Sequence, residues 1–307
     1  MRSVTLHRFE FRAMASVHEV LLAAPDRALA ESAARAAIAD VERIEAKYSR
    51  YRDASVVSTI NRAAGGAPVA IDAETAALLR YADACHRESS GRFDITSGVL
   101  RRAWDFRRDP PRVPDAREIE ALLPLVDWRG VEWDDHAVRL PRSGMEIDFG
   151  GIGKEYAADR AAAIAIAAGI AHGYVNLAGD VRVWGGRPEG APWRVGIRHP
   201  RIEGETIGGI EIADGAVATS GDYERCFEVG GRRYCHLLDA TTGWPVQGWR
   251  SVSVAAPLCV VAGSGATVGM LLGDAAPAWL DAQGVDWLGV DAAGHIRKPA
   301  DPRTPSA

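Results

Sequence analysis

Residues 145–169 set the tightest limit on what this 307-residue chain can fold into. A short run, 145–149, reads as a strand and meets glycines at 150, 151 and 153. An alanine-rich stretch, 154–168, then reads as a helix that Gly169 stops. A strand that enters a helix through glycines presents backbone N–H groups at the positive end of the helix dipole. That is a ready anion site, and Lys154 adds a cation there. The same order also describes a plain tight turn. It fits neither GxGxxG nor GxxxxGK[ST], the common nucleotide fingerprints.

The rest of the chain alternates in kind. Residues 3–23 read as strand. Pro25-Asp26 opens a helix in which Ala34, Ala37, Val41, Ile44 and Tyr48 share one face. A second helix runs from Asp72, as N-cap, to about Ser90, with Gly91 at its end. Asp115 and Glu118 have capping-box spacing for a short helix. Short strands are expected at 130–133, 137–140, 173–184, 193–197, 207–212, 216–219 and 251–255. Residues 226–238 read as a hairpin turning at Gly230-Gly231. A helix at 258–272 closes at Gly273, followed by a short helix (275–283) and two terminal strands. The mixture predicts an α+β fold with mainly antiparallel sheets and packed helices. One domain is expected over 1–299, with a frayed tail at 300–307.

Apolar content of 47% and charged content of 25% match an ordinary globular protein, and the net charge of −5 argues against a nucleic-acid partner. No run of about 18 apolar residues predicts a transmembrane segment. The first residues lack the apolar core of a signal peptide, so a cytoplasmic location is expected. The four cysteines show no CxxC spacing and read as small, partly buried residues.

Two further segments have the polar-plus-glycine character of 148–161. In RFDITSG (92–98), Asp94, Thr96 and Ser97 can cap the following segment or face a ligand's sugar or phosphates. In CHLLDATTGWP (235–245), His236 and Asp239 lie three apart near a strand end. His236 is a general-base candidate, because the unperturbed pKa of a histidine lies near working pH. No GxSxG elbow supports a serine triad. ATSGDYER (218–225) is a turn after a strand, with structure and function equally open.

Together these segments resemble the ApbE family, the FAD:protein FMN transferases. RFDITSGVLRRAWDF is similar to FDPTxGPLxxxWGF, and DFGGIGKEYAADRA to DLGGIAKGYAxD. VNLAGDVRVWG is similar to VNLGGDIRxxG, and 216–246 to ATSGDYxRxFExxGxxYSHIIDPxTGxPV. The family's methionine after the first strand (Met14) and YSRYRDASVVSTIN (48–61) also appear. The resemblance covers about residues 8–295 and implies an α+β fold in two closely joined subdomains with FAD between them. It implies Mg2+-dependent transfer of FMN from FAD to a threonine hydroxyl of an acceptor flavoprotein, with release of AMP. Carried over by position, His236 and Asp239 are the catalytic candidates. FAD contacts fall to Met14, Tyr51, Asp94, Ile95, Thr96, Gly150, Lys154, Tyr156, Leu238 and Thr242. The Gly153 carbonyl and the Thr267 hydroxyl are the expected metal ligands. Relatives often act outside the cytoplasmic membrane.

The chain departs from the pattern at its last long helix. Where the family has EADALATAL, with an aspartate as a principal metal ligand four residues before the threonine, this chain has Gly263 and then Thr267. Ala266 precedes that threonine, and no acid occurs from Leu258 to Leu272. Magnesium prefers oxygen ligands that include one or two carboxylates. The departure therefore leaves two alternatives open: a non-catalytic FAD-binding homologue, and an FAD pyrophosphatase. It also predicts that Gly263→Asp raises magnesium dependence and turnover. Ala240 replaces a proline and Gly153 an alanine, both lesser changes.

Overall fold

The structure is a computed structural model that describes residues 4–299, so the expected tail at 300–307 lies outside the described residues. In chain order its strands and α-helices are β1 (Thr5–Ala13), β2 (Ser16–Ala24), α1 (Arg27–Tyr48), α2 (Val56–Arg62), β3 (Val69–Ala70) and α3 (Ala73–Glu88). Next come α4 (Ala116–Leu122), β4 (Glu132–Trp133), β5 (Ala137–Arg139), α5 (Gly153–Ala167), β6 (His172–Leu177), β7 (Asp180–Trp184) and β8 (Trp193–Arg198). They are followed by β9 (Thr206–Ile212), β10 (Gly215–Gly221), β11 (Cys226–Val229), β12 (Arg232–Cys235) and β13 (Trp249–Ala256). The chain closes with α6 (Cys259–Leu272), α7 (Ala276–Ala282), β14 (Asp286–Asp291) and β15 (Ile296–Arg297).

Local chemistry sets most boundaries. Asp26 Oδ1 accepts from Leu29 N–H at 2.9 Å, and Asp72 Oδ1 from Thr75 N–H at 2.9 Å, so both helices start where an N-cap satisfies a free donor. Gly91, Gly169 and Gly273 follow their helices with φ of 84°, 86° and 57°. The main sheet is antiparallel throughout, in the order β1-β2-β6-β7-β10-β13-β14-β15. Helices α1, α5 and α6 contribute to one large core with this sheet. A satellite core gathers Val99, Leu100, Trp104, Ile119 and Tyr234 under the 3-10 segment Ile95–Arg102, α4 and the β11-β12 hairpin.

The α+β class is as expected, but four local expectations need correction, the first at 173–184, which is the antiparallel pair β6 and β7 turning at Ala178 and Gly179. Where a strand was expected over 3–23, the described residues form a hairpin of β1 and β2; it turns at Met14 and Ala15, with φ of 49° and 61°. Helix α2, capped by Ser55, was not anticipated. Residues 145–149 run extended but join no ladder. Asn61 takes the place of a partner strand, accepting from Ile147 N–H at 2.7 Å and donating to Ile147 O at 3.0 Å.

The one segment among the described residues long and apolar enough to cross a membrane is Cys259–Ala282, with mean hydropathy 1.4. Here it is α6 and α7, interrupted at Gly273 and 61% buried. Its apolarity is explained by its place in the core.

Candidate active site

The glycine turn before α5 is tightly self-bonded. Gly150 N–H donates to Asp148 Oδ1 at 3.0 Å, and Ile152 and Gly153 N–H both donate to Phe149 O. An anion there relies on the first-turn amides of α5 and on Lys154 rather than on those three groups. Lys154 Nζ lies 2.5 Å from Asp180 Oδ2 on β7, in an ion pair bent away from hydrogen-bond geometry. Burial works against the Lys154 ammonium, but Asp180 and Glu155 outweigh it and its pKa is raised.

Glu155 follows on α5 and is 7% exposed. Burial first, and then the Asp180 carboxylate, push its pKa up against the pull of Lys154. Its Oε2 is buried with no hydrogen-bond partner. Opposite it on α6 stands Gly263. A Cβ added there would lie 2.4 Å from Glu155 Cγ and 3.0 Å from Glu155 Oε1. Glu155 therefore fills the space that a side chain at 263 would need. The expected gain in magnesium dependence and turnover from Gly263→Asp therefore requires Glu155 to move aside. One turn along α6, the Thr267 hydroxyl is 2.8 Å from Ser220 Oγ on β10. Asp159 on α5 accepts from Cys259 N–H at 2.8 Å and Val260 N–H at 2.9 Å, capping α6 across the helix pair.

His236 leaves β12 with its N–H donating to Arg225 O at 2.9 Å. Its Nδ1 is buried without a hydrogen-bond partner. Burial, and then the Arg225 charge, lower its pKa from 6.5 to about 4, with Lys154 adding to the effect. The ring is neutral at neutral pH, but it is a weaker base than its ordinary value implies. Asp239 does not pair with it. Asp239 Oδ1 accepts from Thr241 N–H and Oγ1, and Oδ2 is 2.5 Å from Arg92 Nη1. Asp239 thus shapes the turn in which Thr242 is exposed and Leu238 bridges to Pro245.

Other expected contacts sit at different depths. Asp94 Oδ1 accepts from Thr96 N–H (2.7 Å) and Oγ1 (2.6 Å), and Oδ2 from Trp128 N–H (3.1 Å). Thr96 and Ile95 are buried. These side chains make the cap that the sequence allowed, which leaves backbone groups for a ligand. Tyr51 is 68% exposed, with the Arg50 guanidinium 4.8 Å over its ring. Tyr156 donates to Glu74 Oε1 at 2.8 Å. Met14 is half-buried in its strained turn, a conformation that a residue other than glycine rarely keeps without a reason. Glu155, Asp180 and Ser220 were not foreseen as site residues. The signal for Glu155 was present: the family pattern has glycine after the lysine.

The fold is that of a flavin transferase. It matches the ApbE protein of Thermotoga maritima with a TM-score of 0.89 and 34% identity, covering 96% of this chain and 97% of that one. The flavinyl transferase ApbE of Pseudomonas stutzeri matches with a TM-score of 0.85 and 26% identity, over 96% and 95% of the two chains. An FAD:protein FMN transferase of Treponema pallidum is 32% identical over 246 residues, 75% of this chain and 68% of that protein. The ApbE family model matches residues 12–288, and the chain belongs to the ApbE family. It is a transferase that acts on flavin.

Proposed function

We propose that the enzyme transfers FMN from FAD to a threonine hydroxyl of an acceptor flavoprotein and releases AMP. In this step the threonine Oγ forms a bond to the FMN-side phosphorus. The anhydride bond to the AMP phosphate breaks, and AMP leaves with the bridging oxygen. The threonine proton passes to His236. The observation that carries this reading is the buried, unpartnered ring nitrogen of His236, kept neutral by burial first and then by the Arg225 charge. A pyrophosphate arriving near that ring favours its protonated form and so strengthens it as a base. Lys154 and the first-turn amides of α5 hold phosphate oxygens. In this reading the exposed Tyr51 and the Met14 turn meet the flavin or adenine.

Among the described residues no cluster of three or more His, Cys, Asp or Glu is arranged to hold a metal. The oxygen donors fit a hard cation nonetheless: the Thr267 hydroxyl, the Gly153 carbonyl and the unpartnered Glu155 Oε2. Magnesium, when bound, neutralises charge that develops on the phosphates.

The test is the intact mass of an acceptor domain incubated with the enzyme, FAD and Mg2+. A gain of one FMN that requires the metal is expected. AMP release with an unmodified acceptor would replace transfer with attack by water. No change in acceptor or FAD would leave a flavin-binding protein without the chemistry.

A further inference from the structure

Three observations converge on the seam between α5 and α6. Glu155 Oε2 is a carboxylate oxygen in a residue only 7% exposed, and it has no hydrogen-bond partner. Asp180, 3% exposed, stands beside it, and Lys154 supplies one positive charge to the two carboxylates. Two buried carboxylates and one ammonium leave a net negative charge that the interior tolerates poorly without a further cation or a proton. Finally, Glu155 occupies the space facing Gly263, with Oε1 only 3.0 Å from where a Cβ at 263 would stand. Thr267, whose hydroxyl is the expected ligand one turn on, shares that helix.

We infer that Glu155 is the carboxylate ligand for the divalent cation, supplied from α5 in place of the aspartate that the family pattern puts at the position of Gly263. The two departures are one exchange. The pattern DLGGIAKGYAxD has glycine where this chain has Glu155, and EADALATAL has aspartate where this chain has Gly263. Each glycine makes room for the acid on the facing helix. The carboxylate reaches the same volume from the opposite wall, so the missing acid in α6 does not imply a missing site. Asp180 stays paired with Lys154, which leaves Glu155 as the oxygen free to bind. A buried glutamate kept only for packing would have its oxygens hydrogen-bonded, as Asp94 and Asp239 have.

The inference rests on the transfer reading for its purpose but not for its test. Mn2+ is titrated into the full chain with FAD present, and free Mn2+ is followed by electron paramagnetic resonance. Glu155→Gln should weaken binding by about tenfold or more. The exchange variant, Glu155→Gly with Gly263→Asp, should recover most of that loss. Thermal melts establish that each variant is folded. Wild-type protein that binds no Mn2+, or Glu155→Gln that binds within about twofold of wild type, overturns the inference. So does a folded exchange variant that binds no better than Glu155→Gln. Acceptor labelling separates the two claims. Metal-dependent transfer with unchanged Mn2+ affinity in Glu155→Gln sinks the ligand and keeps the reaction. Lost Mn2+ affinity with no transfer by any variant keeps the ligand and sinks the reaction.

Discussion

Two polar regions of this molecule are built from similar residues to opposite ends. Around Asp94 and Asp239, each carboxylate oxygen has a partner: Thr96 and Trp128 for one, Thr241 and Arg92 for the other. Along the α5–α6 seam, Glu155 Oε2 is buried without a hydrogen-bond partner, while Asp180 Oδ2 meets only the Lys154 ammonium as an ion pair; elsewhere, Nδ1 of His236 is also buried without a partner. A satisfied buried carboxylate is part of the scaffold. An unsatisfied one is a free-energy cost that folding alone does not explain. The comparison separates motif residues that the scaffold satisfies from those that it leaves unsatisfied.

The largest test of the satisfied side is Asp94→Ala. It strands three buried donors, and a loss of about 3 kcal/mol is expected in urea unfolding. A loss below about 1 kcal/mol would mean that water replaces the cap and that the region is not scaffold in this sense. On the seam, Gly263→Asp alone should destabilise by about 1–3 kcal/mol, because its Cβ overlaps Glu155 Cγ. Adding Glu155→Gly should restore the melting temperature. A single mutant as stable as wild type would show that Glu155 swings aside freely.

The pH dependence sharpens the same contrast. His236 titrates near 6.5 when unfolded and about 4 when folded. Between those values the unfolded chain binds the extra proton, so stability falls as pH drops from 6.5 toward 4. His236→Gln should remove a share of that slope on the order of 1–2 kcal/mol, read from urea midpoints across the range. An unchanged slope would place the unpartnered ring in contact with water. The smallest effect belongs to Tyr51→Phe: stability within about 0.5 kcal/mol of wild type, since the ring is exposed. A raised KM for FAD at unchanged kcat would mark Tyr51 as a binding contact, and no change in either would remove it from the site.

What the sequence revealed was local. The caps at Asp26 and Asp72, the glycine stops and the Gly230-Gly231 hairpin each depend on residues within a few positions of one another. The hairpin at Met14-Ala15 was hidden because neither residue is a usual turn former. The strand expected at 145–149 was hidden by Asn61, which bonds Ile147 from 86 residues away. The partner of Asp239 was hidden in the same way: Arg92 reaches it across 147 residues of chain. Most telling is Gly263. In the linear text it is an absence, and only the packing of α5 on α6 shows what stands in the gap.

The 2.4 Å overlap at that gap also constrains history. A chain with an acid on both helices cannot close the seam without displacing one of them. Any stepwise path between the family's arrangement and this one therefore runs through a strained intermediate or through one with glycine at both positions. The second avoids the overlap but lacks the carboxylate. Sequences that carry glycine at both positions are then the natural place to look for relatives that kept the fold and let the cation go.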